Sequence, residues 1–341
     1  MNIVITGGAG FLGALLARTL LHNGRLGLDG ASPVAITRIT LVDRAAAPAD
    51  LAADPRVHSV VGDLNALLQS AQAVPPGTDL VFHLAAAVSA ECEADFDLGM
   101  RSNFAATHQL LEACRALGVT TQRIPHLVFA SSLAVFGDSA EQPLPPVITD
   151  TTLPTPQGSY GIQKFIGEQM VADYTRKGFV HGRNVRLMTV SVRPGQPNGA
   201  ASGFLSGMIR EPLAGLRARV PVAADTPVAL ASPARAVEGL LRAAEASSND
   251  WGARTAINLP ALHTTVGDMA AALSKVAGAA GTDLLDWQPD PAVERLVRSW
   301  PGRVDAARAR SLGLLPDTDF EAIVRQYIAE NPSAVRLPIV A

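Results

Sequence analysis

The sequence predicts an α/β protein built on a doubly wound parallel sheet, with a smaller, discontinuous C-terminal region. Three observations carry this. A short β-branched run at residues 2–6 passes at once into a glycine turn and an apolar helical stretch. Further apolar strand-like runs recur at 38–43, 57–64, 80–87 and 126–132 with connections between them, the rhythm of a parallel sheet with crossovers. Beyond residue 193 that rhythm gives way to shorter pieces punctuated by Gly and Pro.

Composition bounds what such a fold does. The 341 residues are enough for one large core or two modest ones. Twenty-eight basic and 31 acidic residues leave a formal charge of -3, so nothing points to a nucleic-acid or anionic-membrane partner, and a small ligand fits better. No apolar run approaches the roughly 20 residues that span a bilayer. The chain begins directly with a strand-like run rather than a targeting segment, and the expected compartment is the cytoplasm. Cys92 and Cys114 suit reduced thiols better than a disulfide framework, although two residues leave a single bridge open. The seven histidines show no metal-ligand spacing, and no metal is expected.

Taken in order, Asn2 to Thr6 reads as the first strand, and Gly7, Gly10 and Gly13 follow before a helix through Leu21. Glycines at this spacing allow a tight turn, close approach of backbone N–H groups to a pyrophosphate, and close packing of helix on strand. Gly7, Gly10, Phe11, Leu12 and Gly13 are therefore the expected cradle of a dinucleotide. Arg38 to Asp43 is the second strand. A carboxylate at Asp43 accepts from the adenosine ribose hydroxyls and repels a 2′-phosphate, which favours NAD over NADP. The spacing from Gly13 exceeds the usual roughly 20 residues; extra loop around Gly24 to Pro33 accounts for it.

The run from Val57 to Leu64 is the third strand and ends in Asp63, placed to accept from the adenine amino group, with Leu64 beside it. Leu80 to Ala87 is the fourth, and its small residues let a cofactor lie against Leu84, Ala85 and Ala86. His83 within it reads as structural. Apolar residues at helical spacing from Asn103 to Ala113 suit a crossover helix. Asn103 is expected to brace the site from beneath and is counted with the cofactor-binding residues.

His126 to Ser132 is the fifth strand and delivers two hydroxyls to the sheet edge that holds the glycine turn. A proline-rich loop from Gln142 to Pro156 follows, and then Tyr160 and Lys164, four residues apart and so on one helix face. A free phenol has a pKa of about 10, and a neighbouring cation is what makes it a base near neutrality. Hydroxyl, phenol and ammonium together are far more specific than any one of them.

With these residues in place the sequence resembles the extended short-chain dehydrogenase/reductase family, which includes nucleotide-sugar epimerases and dehydratases. The carriers are Thr6 to Gly13, Asp43, Asp63-Leu64, His83 to Ala87, Asn103, Ser131-Ser132 ahead of Val135-Phe136-Gly137, Tyr160 with Lys164, and Arg193-Pro194-Gly195. The resemblance implies a Rossmann fold, NAD as cofactor, Ser132, Tyr160 and Lys164 as the catalytic group, and Ser131 in support. It further implies that Lys164 binds the nicotinamide ribose, that Pro194 and Gly195 line the nicotinamide pocket, and that the protein forms a homodimer through the helices of Asn103 and Tyr160. Leu133 and Ala134 stand where family dehydratases carry an acidic pair, which disfavours dehydration. Phe136 replaces the tyrosine of many epimerases, which weakens epimerisation. The stretch from Ser191 to Phe204, leading into Ile209 to Leu213, resembles the family's sugar-acid dehydrogenases. It implies oxidation of the 2-hydroxyl of a four-carbon acid to a 2-keto acid. The alternatives are an epimerase with tightly held NAD and a non-catalytic dinucleotide sensor.

The expected division is a dinucleotide-binding unit at 1–195 and a mainly substrate-binding region at 196–341 whose segments return to the first. Ser132, Asn198, Ser202 and Arg210 are the substrate-side candidates. Arg210, Arg217, Arg219 and Arg303 are the arginines offered as carboxylate anchors, because a guanidinium grips a carboxylate bidentately; Arg210, just after the Ser202/Ser206 segment, is preferred. Asp319 to Ile328 closes the chain as an amphipathic helix.

Overall fold

A computed structural model describes residues 1–195 and 201–340. Its centre is a seven-stranded sheet: β1 (Asn2–Thr6), β2 (Arg38–Asp43), β3 (Val57–Val61), β4 (Leu80–His83), β5 (His126–Ser132), β6 (His181–Leu187) and β7 (Ile257–Asn258). The spatial order is β7-β6-β5-β4-β1-β2-β3, and every neighbouring pair is parallel. Strand order reverses at β1, between β4 and β2. A crevice opens there above the carboxyl ends of the strands, where ligands of doubly wound folds collect.

The local sequence explains the centre well. Ile3, Val4 and Ile5 are at most 1% exposed, because β1 has helices on both faces and needs apolar side chains in both directions. The helix α1 (Phe11–Asn23) buries Ala14, Leu16, Ala17 and Leu20 on one stripe and stops at Gly24, whose positive φ of 66° closes its last turn. The extra length after α1 is a two-stranded antiparallel ribbon, Arg25–Leu26 against Val34–Ala35. β2 and β5 run over the residues the pattern predicts. β3 stops short of its expected end: Gly62 turns, and Asp63 caps a short helix, Leu64–Gln69, through a hydrogen bond from the Ala66 amide. β4 likewise ends at His83. The crossover helix begins as a π turn over Met100–Ala105 and continues as α2 (Ala106–Thr121).

The helix α3 (Ser159–Arg176) carries Tyr160 and Lys164 and lies against β5 and β6. Its closeness to the loop after β5 needs a glycine: a Cβ at Gly161 would stand 2.0 Å from the Ala134 carbonyl oxygen. Beyond Val190 a second apolar cluster forms around α4 (Gly203–Leu213), Met269, Leu273, Phe320 and Tyr327. The chain also returns to the sheet through α5 (Pro233–Glu245) and β7, whose Leu240 and Ile257 belong to the first cluster. The closing helix spans Phe320–Glu330, with Asp319 as its cap.

Candidate active site

A cavity of about 1100 Å³ runs along the carboxyl edge of the sheet, from Asp43 and Asp63 at one end to Ser132, Tyr160, Arg193 and Trp300 at the other. Its floor is the glycine turn. Gly7 has φ 71°, and a Cβ there would meet the Ala85 amide nitrogen at 2.8 Å; at Gly13 a Cβ would meet the Gly7 oxygen at 2.1 Å. A side chain at Gly13 would push α1 off the turn, and one at Gly7 would push the turn off the Leu84–Ala85 backbone. No side chain caps α1 and its first turn holds no acid, so its N-terminal N–H groups suit an anionic pyrophosphate. Gly10, Phe11 and Leu12 line the cavity beside them.

Asp43 lines the same end. Its Oδ2 accepts from the amides of Ala9 at 3.1 Å and Gly10 at 3.2 Å, so the carboxylate also fixes the turn. Asp63, Leu64 and the Leu84-Ala85-Ala86 run lie on the wall. Two further residues there carry no motif signal in the sequence. Asn65 Oδ1 and Gln109 Oε1 are buried acceptors with no protein donor among the described residues, and both residues line the cavity. The exocyclic amino group of adenine is a donor that satisfies such atoms. The turn, the open helix end and these acceptors fit a dinucleotide.

Behind the wall the polar groups are closed off. His83 is fully buried between the hydroxyls of Thr6 (2.7 Å) and Thr107 (2.9 Å), and burial pushes it down to about 3, so it is neutral and structural. Asn103 is 4% exposed and does not reach the cavity. Its Oδ1 accepts from the Ala87 amide at 2.8 Å, and its Nδ2 donates to the Ala87 carbonyl and to Gln163 Oε1. It braces the loop after β4 against α3.

At the other end, Ser131 and Ser132 of β5 both line the cavity, and the Ser131 hydroxyl donates to the buried Glu168 at 2.5 Å. Tyr160 faces Ser132. Burial pushes the Tyr160 phenol up to about 12, against the opposing pull of the Ser132 hydroxyl and of the Arg193 charge. Lys164, 3% exposed, donates to the Ala130 carbonyl at 2.8 Å, and burial pushes it down to about 8. Its Nζ lies 4.8 Å from the Phe129 ring centre and 5.7 Å from that of Tyr160. Lys164 is thus a neighbouring cation to the phenol, with one of its three ammonium donors engaged by Ala130 on the strand beneath.

Pro194 and Ser202 line this end, whereas Gly195 stands outside it, exposed with φ 85°. Asn198 lies outside the described residues. Arg210 lines the cavity, but its guanidinium is tied to Glu211 at 2.5 Å and to the Arg193 carbonyl at 2.8 Å. Arg217 is exposed, Arg219 pairs with Asp290 at 3.4 Å on the surface, and neither they nor Arg303 line the cavity. Arg193 and Trp300 do, and the residue pattern singled out neither as a ligand contact. Phe136 is fully buried beneath Arg186, not at the cavity surface.

Residues 3–228 match the NAD dependent epimerase/dehydratase family. A D-erythronate dehydrogenase of Cupriavidus necator is 50% identical over 330 residues, covering 97% of this chain and 98% of that protein. One from Haemophilus influenzae is 39% identical and covers 96% and 99%. Among solved structures, a nucleoside-diphosphate-sugar epimerase from Agrobacterium tumefaciens superimposes with TM-score 0.87 at 38% identity, over 98% of this chain and 95% of that one. The L-threonine 3-dehydrogenase of Trypanosoma brucei, at 21% identity and TM-score 0.80, shares the fold. A cavity built for a dinucleotide, a hydroxyl, phenol and ammonium at one end of it, and likeness along nearly the whole chain lead to one conclusion: this chain belongs to the NAD dependent epimerase/dehydratase family, the extended short-chain dehydrogenases/reductases.

Proposed function

We propose that this enzyme oxidises the 2-hydroxyl of D-erythronate to 2-keto-D-erythronate with NAD. The observation that carries the substrate is the 50% identity, over 97% of the chain, to the D-erythronate dehydrogenase of Cupriavidus necator. The geometry agrees with the chemistry. Bound NAD supplies the hydride acceptor. The Tyr160 phenolate oxygen takes the proton of the 2-hydroxyl, and Ser132 holds the reacting oxygen from the side of β5. Lys164 keeps one donor on Ala130 and offers the others toward a cofactor ribose and toward the phenol. Cationic charge around Tyr160 is what brings a phenol held at about 12 within working range, since opposite charge within ~4–6 Å favours an ionised group.

The other parts of the reading follow the same line. Gly7, Gly10, Phe11, Leu12 and Gly13 hold the pyrophosphate, Asp43 the adenosine ribose, and Asp63, Leu64, Asn65 and Gln109 the adenine. Leu84, Ala85, Ala86 and Pro194 line the cofactor, with Gly195 next to Pro194 at the nicotinamide end. Residues 1–195 form the dinucleotide unit, and 196–341 contribute most of the substrate side. A homodimer through the helices around Asn103 and Tyr160 is supported by Phe96 and Ile162, 61% and 46% exposed on that side. Two free cysteines, Cys92 and Cys114, agree with a cytoplasmic protein.

A nucleotide-sugar epimerase is the second reading, because the Agrobacterium tumefaciens structure bears that description at 38% identity. The test is NADH absorbance on mixing purified protein with excess NAD and D-erythronate, other four-carbon acids and nucleotide sugars. Net NADH with D-erythronate is expected. No NADH with any acid, together with isomer exchange in a nucleotide sugar, would replace the dehydrogenase with the epimerase.

A further inference from the structure

Arg193 is the half-buried arginine of the cavity that pairs with no carboxylate among the described residues. It lines the end where Tyr160 and Ser132 meet, half-buried, and its guanidinium reaches only the Ser202 hydroxyl, 3.5 Å away, among the described contacts. No described carboxylate pairs with it, and residues 196–200, which follow it in the chain, contain no acid. The neighbouring charge is of the same sign: Arg210 hydrogen-bonds to the Arg193 carbonyl. Burial and Arg210 both press the Arg193 guanidinium downward, and the Tyr160 phenol opposes them. An arginine does not escape such a place by losing its proton, because its pKa stays above about 12. A partly desolvated cation without a partner is costly, and an anion arriving from solution offsets that cost.

The other arginines are differently placed. Arg44 and Arg101 line the Asp43/Asp63 end and are exposed. Arg210 already has Glu211 on its fork. The reacting hydroxyl of a 2-hydroxy acid sits on the carbon next to the carboxylate, so the group that holds the carboxylate stands beside the base. Arg193 is the arginine whose charge bears on Tyr160.

We propose that Arg193, not Arg210, binds the substrate carboxylate, with the Ser202 hydroxyl beside it, and thereby sets which hydroxyl meets Tyr160. Arg210 is then a positioning residue: locked on Glu211, it holds the Arg193 main chain in place. This rests on the sugar-acid reading above. Arg193 also confers specificity by charge, because a neutral analogue leaves its guanidinium unpaired.

The test compares D-erythronate with its uncharged amide, D-erythronamide, for the wild type, Arg193→Gln, Arg193→Lys and Arg210→Gln, all at saturating NAD. Loss of one partner of a buried charge pair predicts a rise in KM for the acid of about 10²-fold in Arg193→Gln. The amide should change little, Arg193→Lys should recover part of the loss, and Arg210→Gln should keep the preference for acid over amide. The acid-side limb of kcat/KM for the amide, where the phenolate is lost to protonation, should move upward in Arg193→Gln, since removing a cation disfavours the phenolate; a purely structural residue would not move it. Cofactor affinity checks folding, and if Arg193→Gln loses it, Arg193→Lys carries the comparison. Undiminished acid preference in both Arg193 variants overturns the proposal. Calorimetry of D-erythronate binding to the NADH-loaded protein separates the two readings. Binding that needs Arg193 without any NADH formation by the wild type would keep the anchor and remove the oxidation; absence of binding by the wild type would remove both.

Discussion

Arg186 forks onto Glu168 beneath the active site, Nε to Oε1 at 2.8 Å and Nη2 to Oε2 at 2.7 Å, with side chains 5% and 1% exposed. Glu168 stands one turn beyond Lys164 on α3, Arg186 lies on β6, and Ser131 of β5 donates to the same carboxylate. One ion pair thus ties β6 to the two elements, β5 and α3, that deliver Ser132, Tyr160 and Lys164. Removing one partner of a buried pair typically costs ~3–5 kcal/mol, because the other charge stays behind. Glu168→Gln should lower unfolding stability by that order in a urea titration. Glu168→Leu with Arg186→Met should be less damaging than Glu168→Leu alone; equal or greater damage would show that the pair is not what Arg186 needs.

Tyr160→Phe removes the proton acceptor and little else. General base help is typically worth ~10²–10⁴-fold, and kcat should fall by that much while NAD affinity, read by fluorescence titration, is kept. A variant within a factor of a few of the wild type would disprove the role.

The pH dependence of stability carries a sign that tests the burial of Lys164. Its folded value is depressed to about 8, below the usual Lys value, so the unfolded chain binds more protons between pH 8 and 10.5. Stability of the cofactor-free protein should rise across that window from Lys164. Tyr160, raised to about 12, acts oppositely: its contribution is complete below pH 10 and is lost as pH climbs toward 12. Lys164→Met should flatten the rise between pH 8 and 10.5, and an unchanged slope would mean that the ammonium is not desolvated.

Asp43→Asn removes the carboxylate that repels a 2′-phosphate and weakens its hold on the amides of Ala9 and Gly10. Hydrogen bonds to a charged group are worth ~1.5–3 kcal/mol. The NAD kcat/KM should fall by about tenfold or more, with a smaller loss for NADP. An unchanged ratio of the two cofactors would dissociate Asp43 from the discrimination.

Much of this protein is determined by sequence alone. The β-branched runs at 2–6 and 38–43, the turn glycines, the Asp43 strand end and the Tyr160/Lys164 spacing are local signals, and local sterics and periodicity are enough to read them. β6 is different. His181–Leu187 reads HGRNVRL, a pattern for an exposed segment, yet Arg183, Asn184 and Arg186 are 5%, 1% and 4% exposed. Their partners are Asp29 and the carbonyls of Ala243 and Ala246 for Arg183, the Glu168 carbonyl for Asn184, and the Glu168 carboxylate for Arg186. Most of these lie dozens of residues away or more. Only the tertiary structure brings such groups together, and a buried charge is tolerated only once they are assembled. The same holds at the site. Arg193 and Arg210 look alike in sequence, and what separates them is that Glu211 occupies the fork of one while the other faces the cavity unpaired with any described carboxylate.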